Sequence, residues 1–179
     1  MKFSQILFLC LSSVLFFGCN EYTSQICKEN LRADVRGLEG EHTLVVQDSE
    51  FRVTKIATSF KRVEKGVYKA EGNHQLYVCD IAGKRFMEDH NMNTNTYALH
   101  LLRMNEKGFS ASFTAFDKTE LDAKKVPYKI IVREPEQLFA KFFGNPTEST
   151  QVLIVDNQAI DSAVMADLLK PIAISMTMY

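Results

Sequence analysis

The chain has 179 residues, with 21 Lys and Arg against 22 Asp and Glu, and its formal net charge is therefore −1. This length favours a single domain with a buried core. Because no block of basic residues stands out, the composition argues against a nucleic-acid partner.

An uncharged and mainly apolar segment, Phe3–Phe17, follows the positive charge of Lys2. Its length fits the core of a signal peptide, about 7–15 residues. It falls short of the roughly 20 residues that a membrane-spanning helix needs. Gly18 supplies the small residue that a signal peptidase requires before its cut. We therefore predict a signal peptide over residues 1–18.

The run Leu15-Phe16-Phe17-Gly18-Cys19 resembles the end of a bacterial lipoprotein signal, where a short aliphatic-and-small motif precedes an invariant Cys. Phe16 stands where Leu is usual, and Phe17 where a small residue is preferred. The resemblance covers residues 1–19 and implies cleavage between Gly18 and Cys19. It also implies a diacylglycerol on the sulfur of Cys19 and an acyl chain, such as palmitate, on its new amino group.

Two alternatives to this anchor remain open. Cys10 is the competing lipidation residue, although Leu9 before it is too large for the cut. An ordinary secretory signal or an uncleaved anchor would make Cys19 incidental.

Asn20 after the Cys resembles the class of lipoproteins sorted to the outer membrane.

Cleavage leaves residues 19–179 with a formal charge of −2, as a short lipidated tether (19–24) and one β-rich domain (25–179). Cys27 and Cys79 remain in this body. Because thiols of exported proteins tend to pair, we predict a disulfide between them, with two separate buried thiols as the alternative. Closing a loop of about 53 residues would stabilise the fold by roughly 4 kcal/mol.

Along the body, helical spacing predicts a helix from Ser24 to about Gly37, with Cys27, Leu31, Val35 and Leu38 facing inward. Eleven alternating or apolar runs separated by turns are strand candidates, and we expect about nine or ten strands among them. The candidate runs are His42–Asp48, Phe51–Thr58, Phe60–Val63, Val67–Ala70, Gln75–Ile81, Arg85–Glu88, Tyr97–Met104, Phe109–Phe116, Tyr128–Val132, Gln151–Val155 and a last run over Ile172–Tyr179.

Three short helices are predicted near the C-terminus. Asp117 with Glu120 has the spacing of a capping box, and Asp161 can cap Ser162–Lys170, which Pro171 would stop. A third helix would open at Pro135 and close at Gly144. The expected fold is mainly β, an antiparallel meander closing into a barrel or a curved sheet, with an N-terminal helix and short C-terminal helices.

A helix before Gly40-Glu41-His42 and a strand meander resembles the lipocalin-like (calycin) group in layout. His42 stands where that group has Trp, and this chain has no Trp. The resemblance implies a barrel that binds a small apolar ligand.

The chemistry-bearing residues give no clear site. Asp89, Asn91, Asn93 and Asn95 alternate as in a calcium loop, but Thr94 and His100 stand where an EF-hand needs Gly and Glu. An Asn-rich turn, with His90 in solvent, is the preferred interpretation, and no metal or cofactor is expected. No Gly-x-Ser-x-Gly nucleophile motif occurs.

We therefore expect a non-enzymatic, lipid-anchored envelope protein of the outer membrane, with a binding or envelope-maintenance role. Its partners would be the membrane and an envelope protein or small apolar ligand. The alternatives are a carrier of such a ligand, and an envelope enzyme or enzyme inhibitor.

Overall fold

Eleven strands form one mixed sheet in the computed structural model, which describes residues 20–47, 53–70, 73–105, 108–133 and 150–178. The first six strands are β1 (Asn20–Tyr22), β2 (Gly40–Gln47), β3 (Val53–Glu64), β4 (Val67–Lys69), β5 (His74–Ile81) and β6 (Lys84–Asn91). The other five are β7 (Thr96–Asn105), β8 (Gly108–Phe116), β9 (Tyr128–Arg133), β10 (Thr150–Val155) and β11 (Leu169–Met178). Two α-helices, α1 (Lys118–Ala123) and α2 (Ser162–Leu168), and a 3-10 turn at Glu29–Leu31 accompany them.

The order of strands across the sheet is β6-β5-β4-β3-β2-β11-β8-β7-β1-β10-β9. Strand β6, the first in this order, pairs with β5 and also with β7, the eighth. The sheet between β6 and β7 is therefore strongly curved. Strand β1 is parallel to β10, whereas the other pairings are antiparallel. The predicted mainly-β class is thus confirmed. The sheet as a whole does not close into a barrel, because β1, β10 and β9 continue past β7 to an edge at β9.

Both faces of β5 are buried over Leu76–Cys79, which explains the continuous apolar sequence of this stretch. On β5, Leu76 and Val78 belong to one cluster, which also contains Leu38 and Tyr68. The alternate residues of β5, Tyr77 and Cys79, belong to a second cluster, here called the N-terminal cluster. It also contains residues from β1, α1, α2 and the segment after β1, among them Tyr22, Ile26, Cys27, Leu121 and Met165.

The predicted N-terminal helix is wrong. Residues 24–37 form an irregular segment with the 3-10 turn at Glu29–Leu31, and Lys28 before this turn is extended. The inward-facing residues Cys27, Val35 and Leu38 are indeed buried. Their burial comes from contacts with the sheet, and the backbone N–H groups of Ile26 and Cys27 bind a buried carboxylate instead of a helical carbonyl. Tertiary contacts have therefore overridden the helical spacing.

The predicted tether is also different in the structure, since Asn20–Tyr22 is a strand of the sheet. Two predicted strands, Phe51–Thr58 and Phe60–Val63, are one long strand, β3.

Two C-terminal helices are confirmed with their caps. The Asp117 carboxylate accepts a hydrogen bond from the Thr119 N–H at 2.8 Å, and that of Asp161 accepts one from the Ala163 N–H at 2.8 Å. Helix α2 ends earlier than predicted, and Pro171 lies inside β11 opposite Thr114. The pairing of β11 with β8 shifts register just after Pro171, and such irregular positions tolerate proline. The helix predicted over residues 135–144 lies outside the described residues.

Candidate functional site

The candidate site is the place where the chain leaves Cys19 and joins the sheet. Gly18 and Cys19 lie outside the described residues, and β1 begins at the next position, Asn20. Asn20 is paired with Leu153 of β10, and Tyr22 with Tyr97 of β7. The first described residue, directly after the predicted lipidation residue, is therefore already paired in the sheet.

Glu88 on β6 holds the segment that follows β1. Its side chain is fully buried. One carboxylate oxygen accepts hydrogen bonds from the Tyr22 hydroxyl at 2.7 Å and from the Ile26 N–H at 2.6 Å. The other oxygen accepts one from the Cys27 N–H at 3.0 Å. Three donors thus compensate a carboxylate that would otherwise be costly to bury. We call Glu88 and these three donors the Glu88 lock.

Burial dominates the electrostatics of the Glu88 lock. It raises the pKa of Glu88 from the ordinary 4.5 to about 7, while the hydrogen bonds from Ile26, Tyr22 and Cys27 act in the opposite direction. Burial, together with the nearby Glu88, also raises the pKa of Tyr22 well above its ordinary value. The Tyr22 hydroxyl consequently keeps its proton and remains a donor.

The predicted pairing of Cys27 with Cys79 is confirmed, since their Sγ atoms lie at the bonding distance of 2.01 Å and their Cα atoms 5.4 Å apart. Both residues are fully buried in the N-terminal cluster. The bond joins the segment after β1 to β5 across 52 positions of sequence. In the chain-entropy model, such a loop stabilises the fold by about 4 kcal/mol.

A second set of polar contacts joins the same segment to α2 and to the chain between β10 and α2. The buried side chain of Asn157 accepts a hydrogen bond from the Ser24 N–H at 2.8 Å and donates one to the Ser24 carbonyl at 2.7 Å. The Ser162 hydroxyl donates to the Ile26 carbonyl at 3.0 Å. Residues 20–27 are thus attached to β5, β6, β7, β10 and α2 within eight residues of Cys19.

The geometry of the Glu88 lock determines what it can do. A carboxyl group with a pKa near 7 can serve as a general acid or base. Here both of its oxygens face donors of the protein itself, and the side chain is fully buried. The arrangement therefore fixes the N-terminal segment in place and offers no surface to a substrate.

The Asn-rich segment after Glu88 forms a turn, as expected, and His90 beside it is partly rather than fully exposed. The Asn91 side chain accepts a hydrogen bond from the Asn93 N–H at 3.0 Å, and Asn95 has a positive φ of 52°. His90 lies on β6, half-buried, with its ring stacked on Tyr97 at 4.3 Å. The stacking continues from Tyr97 to Tyr22, so that His90 packs against the N-terminal cluster through Tyr97.

The other histidines are structural in the same sense. His42, at the position that the lipocalin-like layout gives to Trp, packs its ring 5.6 Å from that of Phe60, and its Nε2–H donates a hydrogen bond to the Leu38 carbonyl at 2.9 Å. The Nδ1 atom of His74 is hydrogen-bonded to the Asp89 carboxylate at 2.9 Å. His100 is buried edge-on against Phe113, and burial lowers its pKa.

Sequence reasoning missed the roles of Glu88, Tyr22 and Asn157. A signal for Glu88 exists, since it directly follows the apolar pair Phe86-Met87 of a predicted strand. Nothing in the sequence shows that its partners lie more than 60 residues away.

A shallow depression of about 360 Å³ lies at the β5–β6 turn, lined by Asp80, Gly83, Arg85, Leu102 and Met104. Asp80 and Arg85 form an ion pair across it at 2.7 Å. Beside it, Val78, Met87 and Leu102 fill the space between the strands, with 0–3% of each residue exposed. This packing gives no support to a carrier that encloses an apolar ligand between these strands.

Searches against protein-family models, curated proteins and solved structures found no match. Among the described residues, no group of three or more His, Cys, Asp or Glu is placed to hold a metal ion. Within the same part of the chain, no helix is long and apolar enough to cross a membrane.

Proposed function

We propose that this protein is a bacterial envelope lipoprotein, held on the outer membrane by a lipid on Cys19, with a non-enzymatic binding or envelope-maintenance role. The observation that carries the proposal is the buried disulfide between Cys27 and Cys79. A disulfide of this kind persists in an oxidising compartment, which agrees with export. It also uses the two cysteines of the body, and leaves the thiol of Cys19 for lipid.

The attachment of residues 20–27 supports this role. A protein with two or more acyl chains stays on a bilayer because each buried methylene contributes about 0.8 kcal/mol. Any pull between lipid and domain passes through the chain just after Cys19. In this protein that chain is fixed by strand pairing, by the Glu88 lock and by a disulfide, all within eight residues.

The anchor is tested by fatty-acid labelling in bacteria. We expect that Cys19→Ser abolishes incorporation of an alkyne-tagged palmitate, because the acceptor sulfur is lost. Cys10→Ser is the matched control, since Cys10 lies within the predicted signal, and it should label like the parent protein. Labelling that persists in Cys19→Ser, or disappears only in Cys10→Ser, would refute the assignment.

The outer-membrane location has its own test. Asn20→Asp places an acidic residue after the lipidated Cys, the pattern of inner-membrane retention in bacteria that use an aspartate signal. Membrane fractions of such a host should contain the parent protein in the outer membrane and the variant in the inner membrane. An unchanged distribution would exclude this mode of sorting.

A further inference from the structure

Two exposed apolar side chains lie on the outermost strand of the sheet. Val132 and Ile130 on β9 are 65% and 50% exposed. Because alternate residues of a strand point to the same side, both side chains lie on one face of β9. Among the described residues, β9 pairs with β10 and forms the edge of the sheet. An exposed apolar edge strand is an aggregation hazard unless something covers it.

The register of the strands places this face beside the start of the domain. Asn20 is paired with Leu153, and Leu153 with Ile130. Neighbouring strands are about 4.8 Å apart, so Ile130 lies roughly 10 Å from Asn20. Leu153, between them, packs against the N-terminal cluster. The apolar face of this cluster therefore extends outward past Leu153 to Ile130 and Val132.

The part of the chain before the described residues ends beside Ile130 and Val132. Residues 1–19 lead into Asn20, and consecutive Cα atoms are about 3.8 Å apart. If Cys19 carries lipid, as in the proposed function on which this inference rests, the bilayer surface must come within about 15 Å of Ile130.

We infer that Ile130 and Val132 form a membrane-contact surface that rests on the bilayer holding the anchor. Apolar side chains of interfacial proteins enter the boundary between headgroups and acyl chains to a depth of about 5–10 Å. The surface complements the lipid, because it fixes the orientation of a domain that the lipid alone would leave free to rotate.

The absence of Trp from the chain allows a direct test. Val132→Trp introduces one fluorescent reporter on the contact surface. Val63→Trp is the matched control, because Val63 is also exposed, at 62%, and lies on β3, far from β9 in the order of strands across the sheet. Each mature, full-length variant is purified from membranes, weighed by mass spectrometry for its lipid, and reconstituted in phosphatidylethanolamine–phosphatidylglycerol vesicles with brominated lipid. Unchanged urea-unfolding midpoints establish that both variants fold.

We expect blue-shifted emission and strong quenching for the Val132→Trp protein, and neither for the Val63→Trp protein. Adding Ile130→Asp to the Val132→Trp protein should reduce the quenching without changing the lipid mass. A lipidated Val132→Trp protein that is not quenched overturns the contact surface and leaves the anchor standing. A protein without lipid refutes the proposed function, and quenching of its tryptophan when vesicles are added would still support the contact surface. A blue shift that grows with protein concentration in detergent, without vesicles, would show pairing of β9 with a second copy and overturn the inference.

Discussion

At the scale of single residues, Glu88 shows how a buried charge can be used to fix one segment. A carboxylate is costly to bury unless donors replace its water. Tyr22, Ile26 and Cys27 supply three donors, and two of these are backbone groups of an irregular segment that has no helical or sheet partners for them. The same contacts therefore satisfy both the buried acid and the backbone of the segment.

The pKa of Glu88 predicts how stability depends on pH. Burial raises this pKa to about 7 in the folded protein. The folded protein then binds a proton more tightly than the unfolded chain, so the free energy of unfolding falls as the pH rises from about 4.5 to about 7. For Glu88 alone we expect a loss of about 2–3 kcal/mol between pH 5 and pH 8. Urea unfolding gives the free energy of unfolding of the parent protein and of Glu88→Gln at both pH values. The contribution of Glu88 is the change between pH 5 and pH 8 in the parent protein minus the change in Glu88→Gln.

Glu88→Gln should lack the pH-dependent contribution of Glu88 to the free energy of unfolding, because an amide does not titrate. It should also unfold more easily at pH 5, by about 1–3 kcal/mol, since its amide protons face a backbone N–H group. Tyr22→Phe is the matched control. It removes a donor that lowers the pKa of Glu88 and should move the titration to higher pH. An identical pH dependence in Glu88→Gln and the parent protein would contradict the role given to Glu88.

At the scale of elements, the turn between β3 and β4 supports the chain that crosses over it. Gly66 in this turn has a φ of +66°. An added Cβ would lie 2.8 Å from the Val78 carbonyl oxygen, 2.9 Å from the Arg32 Cβ and 3.0 Å from the Ala33 backbone nitrogen. The Val78 N–H donates to the Gly66 carbonyl at 2.7 Å, and the Ala33 N–H donates to the Val78 carbonyl at 2.9 Å. The irregular segment thus lies directly on the glycine.

Gly66→Ala should therefore destabilise the protein by more than its backbone strain alone, which is about 1 kcal/mol for a residue forced into positive φ. Gly83→Ala is the matched control. Gly83 also has a positive φ, of 75°, in the β5–β6 turn, and its added Cβ would meet nothing within 4 Å. We expect the loss in free energy of unfolding, measured in urea, to be at least about twice as large for Gly66→Ala. Equal losses would show that the segment can move away from the turn.

At the scale of the whole molecule, β1 connects two parts of the sheet. Among the described strands, β10 and β9 join the curved part of the sheet through β1, which has only three residues. The strand that follows the predicted lipidation residue is therefore also a structural junction. Disturbing β1 should affect the edge strands more than the hairpins.

Glu21→Pro tests this junction. Proline removes the N–H of a central strand and is poorly tolerated there, and Glu21 is paired with Ile154. We expect backbone amides of β9 and β10 to exchange with deuterium much earlier than those of β5 and β6. Glu21→Ala, which keeps the backbone donor, serves as the control and should preserve the exchange pattern of the parent. If Glu21→Pro accelerates exchange equally in all strands, the sheet unfolds as one unit and β1 is not a separate junction.

The sequence by itself determined the features that depend on neighbours in the chain. Alternation in Phe109–Phe116 predicted β8, and carboxylates at Asp117 and Asp161 predicted two helix caps, because capping and pleating act over a few residues. Even so, the local signal failed over residues 24–37, where the spacing of apolar residues predicted a helix and the structure has an irregular segment. Spacing records which residues are buried but not which surface buries them.

The tertiary structure alone decided the features that depend on contacts between distant parts of the chain. The sequence made the disulfide of Cys27 with Cys79 plausible, and the fold brought the two together. Only the fold placed Tyr22 against Glu88 and set Ile130 two strands from Asn20. The physical reason is that burial and strand register depend on which surfaces of the folded chain meet. The segment after β1 shows this, because its contacts with the sheet replaced the helix that its sequence predicted.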